Sequence, residues 1–209
     1  MSKDGLIHAL IRGKYLETPR IIEAFKSIDR KDFIPQDLLD SAYVDEPLPI
    51  GFGQTISQPL TVAFMLEHLS PEPGDKILDV GAGSGWQSAL LAEVVGDKGK
   101  VISIERIPEL VEMAKENIAK YNFIGKNIVE VIEGDGSEGC EKFATYDKII
   151  AAASARELPP VWKEQLKVGG KIVAPVEHSV IVVNKVSDNK FDTKEYFGFS
   201  FVPLVKDVG

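Results

Sequence analysis

A chain of 209 residues with 44% hydrophobic and 27% charged content suits one soluble domain with a sizeable core. Twenty-four basic against 32 acidic residues leave a net charge of −8, which disfavours a sequence-independent nucleic-acid binder, since that function needs a basic surface to displace counterions. The single cysteine, Cys140, cannot close an internal disulfide, and no segment reads as a signal peptide or approaches transmembrane length, so a cytoplasmic monomer with no nucleic-acid, membrane or metal partner is expected.

In chain order, Thr18 reads as the cap of a helix, with Pro19 in its first turn and Ile21, Ile22, Phe25 and Ile28 on its apolar face. Prolines 47, 49 and 59 then suggest a loop, and residues 1–59 are expected to form an N-terminal extension covering a domain of residues 60–209. Within that loop, PLPIGFGQTISQPL (47–60) carries no charge. Two readings fit it. Gln54, Thr55, Ser57 and Gln58 could line a desolvated pocket without a carboxylate, or the loop is structural and Ser57 caps a helix that begins near Leu60.

From residue 60 strands and helices alternate. A helix over 60–69 is closed by the turn 71–74, and a strand over 77–80 leads through glycines 81, 83 and 85 into a helix over 86–95. The next strand, 101–104, ends in Glu105. Pro108 opens a helix with Leu110, Val111, Ala114 and Ile118 at helical spacing. A third strand over 129–132 ends at Asp135-Gly136, a fourth spans 146–152, and a fifth, 171–176, follows a helix around 160–166. Strands over 180–186 and 196–202 flank the Asp188-Asn189-Lys190 turn as an antiparallel hairpin. The pattern predicts an α/β fold: a Rossmann-like, doubly wound, mostly parallel sheet with an antiparallel hairpin at one edge.

Ligands in such sheets lie beyond the carboxyl ends of the strands, where Asp79, Glu105, Asp135 and the run 151–154 fall. Glycines at a strand-to-helix turn let backbone approach a bound molecule, and an acidic residue at the tip of the next strand can accept from both hydroxyls of a ribose. Gly81, Gly83 and Glu105 therefore point to a nucleoside-bearing cofactor. The dinucleotide pattern needs a glycine at 86, where this chain has Trp86, which argues against a diphosphate and a nicotinamide oxidoreductase. Asp135 beside Gly136 is placed to accept from an adenine amino group, or is a turn aspartate.

The runs DEPLPIG (45–51) and GQTISQP (53–59) resemble the signature of protein-L-isoaspartate O-methyltransferases, and the likeness continues through LDVGAGSGW (78–86), EGDG (133–136), QLKVGG (165–170) and FVPL (201–204). The resemblance implies a class I methyltransferase fold and S-adenosyl-L-methionine as cofactor, held by Asp79, Gly81, Gly83, Glu105, Asp135 and Gly136. It implies that Ser57 is the active-site hydroxyl and that Gln54, Thr55, Ile56 and Ser57 lie beside cofactor and substrate. The implied reaction methylates the free α-carboxylate of L-isoaspartyl residues in damaged proteins and peptides. The ester then cyclises to a succinimide whose hydrolysis returns some normal linkage. Members often have glycine where this chain has Glu177. A methyltransferase of RNA or small molecules would share residues 76–136 without reason to keep 53–59, and a non-catalytic binding module would keep the cofactor site alone.

Overall fold

In a computed structural model, residues 1–205 are described. Seven strands form one sheet in the order β5-β4-β3-β6-β7-β8-β9. Those strands are β3 (Lys76–Val80), β4 (Lys100–Glu105), β5 (Val129–Glu133), β6 (Tyr146–Ala151), β7 (Leu166–Val176), β8 (Ser179–Ser187) and β9 (Lys190–Phe197). From β5 to β7 all pairs are parallel, and β7-β8-β9 form an antiparallel meander at one edge. The chain runs β3→β4→β5 outward, then returns to place β6 on the other side of β3. The resulting switch point lies beyond the ends of β3 and β6, where an open parallel sheet forms a crevice.

Both faces of the parallel strands are buried, and successive residues serve different cores, because side chains alternate along a strand. Ile77, Val101, Ile150 and Val173 join one core, while Leu78, Ile102, Ile149 and Ile172 join the other. The first core takes in α3 (Pro59–Leu69), α4 (Trp86–Val95) and α5 (Pro108–Ala119); the second holds Trp162 of α6 (Pro160–Gln165). Gly85 ends the glycine turn at φ +89, and a Cβ there would lie 2.9 Å from Ile118 Cγ1 and 3.1 Å from the Ala114 carbonyl. Only glycine allows both this backbone angle and the close seating of α5.

The N-terminal residues share the first core. An unanticipated helix, α1 (Lys3–Arg12), is capped by the Ser2 hydroxyl and buries Leu6, Ile7 and Leu10. In α2 (Pro19–Ser27), Ile21 and Phe25 are buried, and Phe25 meets the Trp86 indole edge-on at 5.7 Å. Thr18 does stand at the N-cap of α2, but its hydroxyl makes no cap bond and donates instead to Glu67 on α3.

Two expectations are corrected. The stretch read as a loop contains a hairpin, β1 (Leu48–Gly51) and β2 (Gln54–Ile56), joined by Phe52 and Gly53 with φ of +53 and +70. A two-residue turn with both central residues at positive φ matches the twist of paired strands, so prolines 47 and 49 precede or sit within a short edge ladder without preventing it. The strand expected over 196–202 ends at Phe197, since Gly198 leaves the ladder at φ +97. Beyond it the chain crosses the sheet end and is held by Ser154, whose N–H donates to the Val202 carbonyl (2.8 Å) and whose carbonyl accepts from Leu204 N–H (2.7 Å). Glu177 sits at φ +51, first of two residues linking β7 and β8, a turn position where glycine is favoured.

Candidate active site

Beyond the ends of β3 and β4 lies an open cleft of about 680 Å³, part of it continuous with solvent. Gln54, Thr55, Gly81, Gly83, Glu105 and Gly136 line it, bringing together six of the residues singled out from sequence. A second cavity, of about 750 Å³, is lined by Pro47, Thr55, Ser57, Gln58, Thr61, Ala152, Ser200, Phe201 and Val202. No residue in its lining is ionisable at neutral pH. Thr55, Ala152 and Val202 border both spaces, so the two meet across a wall one residue thick.

Glu105 is 7% exposed and organises the cleft. Its Oε2 accepts from the Gly83 N–H (2.9 Å), and its Oε1 from the N–H groups of Arg106 (2.9 Å) and Ile107 (3.1 Å). One carboxylate thus joins the glycine turn after β3 to the turn after β4. Asp79 lies beneath the glycine turn, fully buried, and lines none of these spaces. Gln87 Nε2 (2.7 Å) and Ser88 Oγ (2.6 Å) donate to it from α4, and Ser103 Oγ stands at 3.3 Å on β4. Burial pushes its pKa up to about 6 despite those hydrogen bonds, with Glu105 adding to the rise. Asp79 therefore ties three elements under the turn. Asp135 also lies outside the cleft lining, and its Oδ1 accepts from the Ser137 N–H (2.8 Å), while its neighbours Gly134 and Gly136 face the cleft.

Ser57 borders the second cavity, and with Thr55 and the largely buried Ile56 it also lines a smaller space against Gly81 and Gly83. The capping alternative for Ser57 does not hold: the N-cap of α3 is Gln58, and the Leu60 N–H is taken by Asp45 Oδ1 at 2.8 Å. Trp86, where a dinucleotide site would have glycine, is 3% exposed, packs against Phe25 and Arg30, and lines a smaller space at the glycine turn with Gly81, Gly83 and Ser84. Glu105 and Arg106 both line the cleft, and Asp79 lies below it.

Several lining residues escaped the sequence reading. Ile104, Ile107 and Leu204 give the cleft apolar walls. Pro203 and Val205 come from the crossing segment after Gly198, which looked like strand until its glycine and proline are weighed. Arg30, inside the charged run DRKD, lines neither space but is 2% exposed. None of the three histidines borders these spaces. Among the described residues no helix is long and apolar enough to cross a membrane, and no group of three or more His, Cys, Asp or Glu side chains gathers as metal ligands would.

Comparison with known proteins gives this geometry a family. The sequence model of protein-L-isoaspartate(D-aspartate) O-methyltransferases matches residues 1–209. A protein-L-isoaspartate O-methyltransferase of Methanopyrus kandleri is 43% identical over 100% of this chain and 93% of its own, and one of Archaeoglobus fulgidus is 47% identical over 91% and 87%. Among solved structures, a Plasmodium falciparum protein of the same description, in complex with S-adenosyl-L-homocysteine, superposes with a TM-score of 0.90 at 26% identity, covering 99% of this chain and 100% of that one. Matched by the family model from end to end and more than two-fifths identical to relatives over nearly all of its length, the chain belongs to the protein-L-isoaspartate(D-aspartate) O-methyltransferase family.

Proposed function

We propose that the cleft holds S-adenosyl-L-methionine, that the neighbouring uncharged cavity receives the isoaspartyl residue, and that transfer takes place across the Thr55–Ala152 wall. The meeting of the two spaces at that wall is the observation that carries the assignment. In this reading Glu105 accepts from the ribose hydroxyls, Gly81 and Gly83 let backbone approach, and Ile104 and Ile107 flank the adenine near Asp135 and Gly136. Gln54 and Thr55 reach the cofactor from the hairpin; Asp79 and Ile56 act from behind, by shaping the glycine turn and the hairpin. The cleft fits a nucleoside, because its lining offers the Glu105 carboxylate for hydroxyls and apolar walls for a base, with Arg106 at its edge.

When bound, the cofactor supplies a methyl group on a sulfonium, and the free α-carboxylate of the isoaspartyl residue accepts it as an ester. That carboxylate is ionised at neutral pH, since an α-carboxyl titrates near pH ~3.5, so no residue need remove a proton. The protein's work is alignment and exclusion of water. Ser57, in the lining of the second cavity, orients the carboxylate through its hydroxyl, and Gln58 and Thr61 add neutral donors. The same reading has residues 1–59 as a cover for a cofactor domain of 60–209, whose last four residues lie outside the described ones. It also has the protein acting as a cytoplasmic monomer on polypeptides, not on nucleic acid or membranes. The test is incubation with labelled cofactor and matched isoaspartyl and aspartyl peptides. Base-labile ester on the isoaspartyl peptide alone is expected, and equal labelling of both, or of neither, refutes the reading.

A further inference from the structure

We propose that Arg30 is a positioning residue for methyl transfer: its buried guanidinium fixes the Ser57 end of the β1–β2 hairpin relative to the glycine turn. The proposal rests on the reading of Ser57 given above. Arg30 begins a short 3-10 turn (Arg30–Phe33) in the N-terminal region and is 2% exposed. One terminal nitrogen, Nη2, donates to the carbonyls of Glu46 (2.9 Å) and Ser57 (3.1 Å). Those two residues bracket the hairpin, so a single atom closes it at its open end. The other, Nη1, donates to the carbonyls of Ala42 (2.9 Å) and Val44 (3.2 Å). The guanidinium carbon lies 5.4 Å from the centroid of the Trp86 ring, the residue that follows Gly85 into α4.

Four carbonyls and an aromatic face thus converge on one cation, and each belongs to a segment that shapes the site. The planar fork matters. Its fixed N–H directions can serve paired acceptors on two sides, which a lysine ammonium on a flexible stem cannot do in the same plane. Burial pushes the pKa of the Arg30 guanidinium down to about 10, and Asp45, between two of the bonded carbonyls, opposes that fall; Asp45 also accepts from the Leu60 N–H of α3, so the cation, the hairpin base and the helix behind Ser57 are linked. Pro47, Thr55, Ser57 and Gln58, all in or beside the clasped hairpin, line the acceptor cavity. Displacement of this wall by an ångström costs alignment as well as packing.

A double-mutant cycle tests the assignment. Single-turnover methyl transfer to an isoaspartyl peptide is measured, at saturating cofactor and peptide, for wild type, Arg30→Lys, Ser57→Ala and the double variant, at a temperature where circular dichroism shows each folded. Arg30→Lys is expected to slow transfer by roughly tenfold to a hundredfold. In the Ser57→Ala background the same change should cost less than about threefold, because the group it positions is gone. Should Arg30→Lys not fold, Arg30→Gln carries the same cycle. A normal transfer rate with a lowered melting temperature makes Arg30 structural only and overturns the proposal. Penalties that multiply in the double variant overturn it too, by showing that Arg30 does not act through Ser57. If Ser57→Ala alone transfers at the wild-type rate, the reading of Ser57 falls first and takes this one with it.

Discussion

Glu105→Gln keeps the shape of a side chain that is 7% exposed and removes its charge. The carboxylate accepts from three backbone N–H groups, Gly83 on one oxygen and Arg106 and Ile107 on the other. A carboxamide has one oxygen to offer. Turned toward 106 and 107, it sets its NH₂ against the Gly83 N–H, donor to donor; turned the other way, it opposes two donors. A hydrogen bond to a charged group contributes about 1.5–3 kcal/mol, so loss of the Gly83 bond alone frees the glycine turn at about that cost. Loss of a ribose acceptor adds a similar amount on the binding side. At about 1.4 kcal/mol per tenfold, the dissociation constant for S-adenosylhomocysteine should rise at least tenfold, and at least about a hundredfold if both effects operate fully. Isothermal titration calorimetry reads this directly, with urea unfolding to show that the variant remains folded. An affinity within about twofold of wild type in a folded Glu105→Gln protein refutes both the ribose assignment and the role of Glu105 in setting the turn.

Ser57→Ala should slow turnover at least tenfold while lowering stability by under about 0.5 kcal/mol, because Asp45 and not Ser57 satisfies the first turn of α3; parallel kinetics and thermal melts check it, and normal turnover refutes it. For Asp79, burial raises the folded pKa from 3.8 to about 6, so its ionisation costs stability that is fully present below the unfolded value and lost as pH rises through the folded one. Asp79→Asn removes that loss, and its stability relative to wild type should improve by about 2 kcal/mol between roughly pH 4.5 and 7.5; urea unfolding of both proteins at the two pH values measures the difference, and a constant gap contradicts it. Gln58→Glu places a carboxylate in the uncharged cavity, where repulsion of about 3 kcal/mol at roughly 6 Å and an effective dielectric of 20, reduced by solvent, should raise KM for an isoaspartyl peptide about tenfold. An unchanged KM at low salt means that the acceptor carboxylate binds elsewhere.

The frame was legible because its signals are periodic. Strands buried on both faces read as runs such as ILDV and VISI, and Pro108 and Pro160 each stand at the first position of a helix. The cleft lining was legible for a related reason: glycines 81 and 83 and Glu105 fall at strand ends, and strand ends are readable. What stayed hidden depends on contacts across the chain. The hairpin over 48–56 is three to four residues per strand, too short for alternation to show against its prolines. Arg30 hides in a charged run, since nothing local tells that four carbonyls from residues 42 to 57 will surround it. Asp79 was read as touching the cofactor from its place at a strand tip, but its partners Ser88 and Ser103 lie on α4 and β4, and only the assembled sheet directs it inward.

The two sides of the site differ in charge in a way that suits the reaction. Glu105 and Arg106 line the cleft and Asp79 lies under it, so the charged groups of the site gather on that side. Across Thr55 and Ala152 the second cavity has only neutral groups, on a protein whose net charge of −8 would otherwise repel an anion. A cation near that cavity would bind the carboxylate more tightly, but it would also stabilise the anion relative to the transition state, in which the carboxylate charge is being lost to the ester. Arg30 illustrates how the fold avoids this. Its guanidinium lines neither space: it is 2% exposed and its charge is taken up by four backbone carbonyls, one of them that of Ser57. Neutral hydroxyls and amides then orient the nucleophile at little cost to its reactivity, and the electrostatic bias of the site is left to the donor side.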